Sequence, residues 1–103
     1  MKKKLELEKH IEARFLRKLK ARWPIAEARK MNGFGNRSWP DRLIILPNGA
    51  SFYIEFKRPG GELSPGQVQK IKELKALKQR VYIFDNVENA IDQCELESYN
   101  VRR

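Results

Sequence analysis

Two short apolar runs, residues 42–46 and 50–56, are separated only by Pro47-Asn48-Gly49, and nothing else in the chain restricts its fold as tightly. Runs of this length, rich in Ile, Leu, Phe and Tyr and joined by a Gly-containing turn, predict an antiparallel hairpin. Such a hairpin returns the end of its second strand to the start of its first. Asp41, which follows Pro40 at the entrance, is therefore expected beside Glu55 at the exit.

Side chains on a strand alternate faces, so Tyr53, Glu55 and Lys57 share one face while Phe52, Ile54 and Phe56 share the other. Two converging carboxylates repel and retain a proton unless a positive group lies between them. A divalent cation meets that need, because hard carboxylate oxygens suit Mg²⁺ or Mn²⁺. The Lys57 ammonium, on the same face, could orient or deprotonate a water held by the cation, or stabilise charge building on a phosphate under attack. Each piece also has an ordinary structural reading, since Pro-Asp opens many turns and Glu and Lys two apart often form a solvated face.

Taken together, Pro40-Asp41 and Glu55-Phe56-Lys57 resemble the PD-(D/E)xK signature of the restriction-endonuclease-like nucleases. The continuation from Lys57 through Pro59-Gly60-Gly61 to Ser64-Pro65-Gly66-Gln67 resembles the VRR-NUC (virus-type replication-repair nuclease) domain. The similarity spans about residues 8–90. It implies an α/β fold with a mixed four-stranded sheet flanked by helices, and a metal-dependent endonuclease that hydrolyses DNA. The implied catalytic set is Asp41, Glu55, Lys57 and Gln67, with Gln67 positioning the attacking water or the lysine. In this family an acidic residue of the first helix completes the metal site, and Ile11-Glu12 occupies the matching place, so the implied ligands are Glu12, Asp41 and Glu55, with Glu8 in reserve. Compact members, often carried by phages, imply a homodimer acting on branched DNA such as four-way junctions. The family usually shows a tight Gly-x-Pro-Asp approach, whereas this chain has Asn36-Arg37-Ser38-Trp39-Pro40-Asp41.

Composition agrees with a polyanionic partner. Lys and Arg number 22 against 13 Asp and Glu, a formal net charge of +9 in 103 residues. A chain of this length is expected to form one domain, residues 1–103. Membrane is disfavoured, because no apolar run approaches the roughly 20 residues of a spanning helix and Met-Lys-Lys-Lys lacks the apolar stretch of a signal peptide. With one cysteine, Cys94, and one histidine, His10, neither an internal disulfide nor a Cys/His zinc site can form. Cytoplasm, bacterial or of a phage-infected host, is the expected compartment; Cys94 is expected in packing and His10 on a helix surface.

In chain order, residues 4–22 read as an amphipathic helix stopped by Pro24. Lys2 to Lys4 read as a solvated face and Glu6 points away, whereas Glu12 and Glu8 fall on the apolar arc, where a carboxylate needs a cation or an ion pair with a neighbouring Lys or Arg. Residues 25–30 suggest the first strand. Residues 30–39 form a basic loop holding Phe34 and Trp39, suited to phosphate contacts and base stacking, although Trp39 is at least as well explained by burial against the sheet. Lys30, Arg37, Arg42 and Arg58 are the expected DNA contacts. Ser64, Pro65 and Gln67 form a capping box that opens a helix, with Gln67 on the inward arc with Val68, Ile71, Leu74 and Leu77. Residues 81–84, apolar on both faces, are expected as an interior strand pairing in parallel through that helix. Residues 87–96 read as a closing helix and residues 98–103 as a polar tail. The competing readings are a non-catalytic basic nucleic-acid-binding module and a nuclease of the same chemistry acting on flaps or nicked DNA.

Overall fold

The hairpin forms as its pattern requires, and the rest of the chain is layered on it. The structure, a computed structural model, describes residues 2–99, with side chains over residues 7–99. The Lys2 to Lys4 face, the direction of Glu6 and the tail at 100–103 lie outside the residues so described. The elements follow in the order α1 (Lys2–Arg22), β1 (Glu27–Lys30), β2 (Arg42–Ile45), β3 (Ser51–Phe56), α2 (Pro65–Ala76), β4 (Val81–Phe84) and α3 (Val87–Tyr99). They form a four-stranded sheet in the order β1-β2-β3-β4, antiparallel through the first three strands and parallel between β3 and β4. The parallel pair is joined by α2, the usual length of crossover for such a connection.

Alternation along β3 separates two apolar clusters. Phe52, Ile54 and Phe56 pack with Ile11, Phe15 and Leu19 of α1 and with Val87, Ala90 and Cys94 of α3. Phe15 and Phe56 are fully buried with ring centroids 5.1 Å apart, each burial contributing about 2–3 kcal/mol. On the opposite face Tyr53 packs with Ile71 and Leu74 of α2 and with Val81. Helices therefore cover both faces of the sheet, and Glu55 points to the α2 side with Tyr53. Cys94 is fully buried, its thiol pushed up to about 12 by burial, and His10 is exposed.

Three expectations need correction. β4 is an edge strand, not an interior one. Its apolar character reflects layers above and below, Val81 facing one cluster and Tyr82 and Phe84 the other, while Ile83 is 45% exposed. Leu77 is 69% exposed as the C-cap of α2, and Val68 is exposed too, so the inward arc of that helix is narrower than its periodicity suggests. Finally, α3 continues to Tyr99, past the expected end at residue 96.

That extra turn carries Glu97, whose side chain is buried and held by Arg80 and Tyr82. Arg80 donates through Nε to Oε2 at 2.9 Å and through Nη2 to Oε1 at 2.7 Å, and the Tyr82 hydroxyl donates to Oε2 at 2.7 Å. Asn48 in the hairpin turn adds a bond from Nδ2 to the Glu97 carbonyl at 3.0 Å. The turn, β4 and the end of α3 are thereby tied together at the end of the sheet away from Asp41.

Candidate active site

The β2–β3 register pairs Arg42 with Ile54, and continuing it by one position sets Asp41 opposite Glu55. Asp41 ends the hairpin with its own side chain, Oδ2 accepting the Phe56 backbone N–H at 2.7 Å. Its Oδ1 accepts a short hydrogen bond from Asn32 Nδ2. The expected meeting of the two carboxylates is thus a direct product of hairpin geometry.

Glu55 is almost sealed from solvent, its side chain 3% exposed. Lys57 Nζ lies 3.5 Å from Oε2, and Gln67 Nε2 donates to the same oxygen at 3.2 Å. Gln67 can do this because the capping box holds it: its backbone N–H donates to Ser64 Oγ, and its own Oε1 accepts from the Ser64 N–H at 2.9 Å. The amide oxygen caps the helix while the amide nitrogen reaches Glu55, so one side chain makes both contacts.

The other oxygen, Glu55 Oε1, is buried without a hydrogen-bond partner. A buried acceptor left unpaired is costly, and the carboxyl responds by holding its proton. Burial, followed by the negative charge of Asp41, pushes Glu55 up to about 8 against the opposing pull of Lys57. Asp41 is raised as well, by burial foremost and by Glu12, with the Phe56 N–H, Asn32 and Lys57 resisting.

A raised carboxyl is stabilising while protonated, so folding stability is expected to fall as pH rises from about 4.5 towards about 8. Glu55→Gln removes that ionisation while keeping the shape of the side chain. Without added metal, its melting temperature is expected to exceed that of the wild type at pH 8, on the order of 5 °C, and to match it near pH 5. Equal melting temperatures at pH 8 would mean that Glu55 ionises there without cost.

Other expected site residues are placed differently. A cavity of about 240 Å³ next to Asp41 is lined by Glu8, Glu12, Lys30 and Asn32 among others. Glu12, however, accepts from Arg42 Nε at 2.7 Å, and Arg42 Nη1 donates to the Ala28 carbonyl at 3.0 Å. Glu12 is therefore ion-paired rather than joined to Asp41 and Glu55, and Arg42 is a partly buried structural cation rather than a free phosphate contact. Lys30 borders this cavity, donating to Asn32 Oδ1 at 3.2 Å. Arg37 is exposed in the β1–β2 loop. Arg58 lies with Lys57 along a second cavity of about 330 Å³ at the turn after β3. There a Cβ at Gly61 would sit 3.0 Å from the Arg58 carbonyl, so a larger residue would crowd this tight turn. Asn32 was not anticipated, because only the β1–β2 register, with Met31 N–H donating to the Asp41 carbonyl at 2.9 Å, brings it to Asp41.

Among the described residues, no three His, Cys, Asp or Glu side chains group closely enough to hold one metal ion. The acidic residues the hairpin sets opposite each other are Asp41 and Glu55. Two hard carboxylates, one with a partnerless buried oxygen, fit Mg²⁺ or Mn²⁺, which commonly take one or two protein carboxylates and complete their shell with water and substrate phosphate.

No protein-family model matches the chain. A protein of Acyrthosiphon pisum secondary endosymbiont phage 1, named as a candidate nuclease, p44, is 36% identical over 69 residues, 60% of this chain and 74% of the relative. A solved structure described as a VRR_NUC domain superposes with a TM-score of 0.65 at 24% identity, covering 86% of this chain and 97% of the other. No helix among the described residues is long and apolar enough to cross a membrane.

Proposed function

This chain belongs to the VRR-NUC family of the restriction-endonuclease-like fold, and from that premise we propose that it is a divalent-metal-dependent endonuclease hydrolysing phosphodiester bonds in DNA. The observation that carries the reading is the partnerless, buried Oε1 of Glu55, the residue opposite Asp41 in the hairpin, with the Lys57 ammonium 3.5 Å from the other Glu55 oxygen. A binding module has no use for a proton-hungry carboxylate pair at the end of a hairpin, and the two charges destabilise the fold that holds them.

Asp41 and Glu55 would hold Mg²⁺ or Mn²⁺. Glu12 would have to exchange its Arg42 partner to join them, and Glu8, on the same cavity wall, is the reserve. Bound there, the cation supplies a Lewis acid for the phosphate oxygen and a more acidic water. The chain's own groups do the rest. Lys57 brings a positive charge to the phosphate that becomes more negative as water adds to phosphorus and the sugar oxygen leaves. Gln67 fixes the Glu55 carboxylate and, through the capping box, is itself fixed, which keeps the site at the spacing the reaction needs. The net charge of +9 favours approach of DNA, so affinity should weaken as salt is added.

Branched DNA, four-way junctions in particular, is the substrate we assign, cut by a homodimer whose two-fold symmetry would present two sites for paired nicks, in the cytoplasm of a bacterial or phage-infected cell. The test is a panel of end-labelled four-way junction, flap, nicked and linear DNA with Mg²⁺. Symmetric incisions confined to the junction are expected. Incision of flaps or nicks instead would retain the chemistry and remove the junction assignment.

A further inference from the structure

Phe34 is 106% exposed, as open to solvent as a phenylalanine in an extended chain, although it lies in a loop that is otherwise well anchored. The loop's Trp39 packs on Tyr53 with ring centroids 6.0 Å apart, and Lys70 Nζ sits 5.0 Å from the Trp39 centroid. Ser38 presses on the first turn of α2 so closely that a Cβ at Gly66 would lie 2.6 Å from its Oγ. Within the loop, Asn36 N–H donates to the Gly33 carbonyl at 2.8 Å and Trp39 N–H to the Asn36 carbonyl at 3.2 Å. Trp39 is thus committed to the fold, and the aromatic ring left free for a partner is Phe34.

Its surroundings indicate the partner. Phe34 and Arg37 together border two clefts, one of about 450 Å³ shared with Trp39 and Lys70, the other of about 400 Å³ shared with Lys30 and Asn32. Neither cleft is lined by an acidic residue; Lys30 and Arg37 share these clefts with the ring, while Lys70, at the far wall of the first, is paired with Glu73 at 2.8 Å. An anionic ligand with a flat apolar face meets both requirements. Asn32, at the inner end, donates to Asp41, which places the ring on the approach to the carboxylate pair.

We propose that Phe34 stacks on an unpaired DNA base adjoining the Asp41–Glu55 site while Lys30 and Arg37 hold the flanking phosphates, so that the β1–β2 loop selects DNA whose bases are already unstacked. This rests on the nuclease reading above and supplies what that reading lacks, a residue that distinguishes distorted DNA from regular duplex. A paired base is sealed in its stack and cannot cover Phe34, whereas base–aromatic stacking of an exposed base contributes substantially to affinity.

Binding is measured by fluorescence anisotropy in EDTA, so that cleavage is not needed. Three duplexes are compared: fully paired, carrying one unpaired adenine, and carrying an abasic residue in place of that adenine. Phe34→Ala should weaken binding to the unpaired-adenine duplex about tenfold and leave the other two unchanged, whereas Phe34→Trp should bind like the wild type. Because Phe34 touches none of the core, folding is expected to be unaffected, and matching melting curves verify it. An equal loss on adenine and abasic duplexes, or no loss on either, would overturn the proposal. Loss confined to the adenine duplex, in a protein that cuts no DNA with Mg²⁺ or Mn²⁺, would uphold the stacking and sink the nuclease reading alone.

Discussion

Lys57→Ala is expected to slow DNA cleavage by about a hundred- to a thousand-fold, the effect of deleting one preorganised group that meets developing charge, while DNA affinity and melting temperature stay near wild type. Lys57 lies at the end of β3, beyond the apolar clusters, and its ammonium is 3.5 Å from Glu55 Oε2, so its removal leaves the packing of both layers intact. It also leaves Glu55 without the charge that opposes burial and Asp41, and the carboxyl will hold its proton to still higher pH. The residual activity should therefore rise with pH over a range shifted upwards from that of the wild type. Single-turnover rates between pH 6 and 9 read both effects. A Lys57→Ala protein that cuts at the wild-type rate would remove this residue from the mechanism.

The largest effect on stability is expected at the other end of the sheet. Arg80→Ala leaves the buried Glu97 carboxylate with the neutral donors Tyr82 and Gln93 and no countercharge, and breaking a buried pair from one side costs about 3 kcal/mol, the lower end of the usual range because water can follow the partly exposed arginine. In a domain whose whole stability is of the order of 10 kcal/mol, the melting temperature should fall by at least about 10 °C. Removing both charges, Arg80→Met with Glu97→Leu, should recover most of that loss. The pH dependence has a definite sign. Burial raises Glu97, but the bonds from Arg80 and Tyr82 outweigh it and hold the carboxyl below its ordinary range, so this contribution is present at neutral pH and disappears on acidification. Melting curves of the single and double variants at pH 7 and pH 4 check it; equal melting temperatures for Arg80→Ala and wild type would show that the network stabilises nothing.

The features legible in the sequence were those carried by local rules. Alternation in residues 52–57 separated the two faces of β3, the three-residue turn set the register that brings Asp41 to Glu55, and the capping box located both α2 and Gln67. What escaped was set by long-range pairing. An apolar strand such as β4 needs cover on both faces, and one with a helix layer on each side looks the same in sequence as one with a strand on each edge. Glu12 on the apolar arc had two solutions, a cation or an ion pair, and Arg42 supplies the second only because β2 passes beneath α1. Glu97 did leave a trace: it continues the stripe Val87, Ala90 and Cys94 at helical spacing, and a carboxylate on a buried stripe implies a partner. Nothing local could name Arg80 as that partner, or Asn32 as the donor to Asp41.

Whether Asp41, Glu55 and Lys57 form one hydrolytic site that works with a divalent cation is measured most directly by cleavage of end-labelled four-way junction DNA by purified wild-type protein in Mg²⁺, Mn²⁺ or EDTA, with Lys57→Ala alongside. Incision with either metal, none in EDTA and almost none by Lys57→Ala is the predicted result. Incision that persists in EDTA, or tight binding with no incision under either metal, would contradict it.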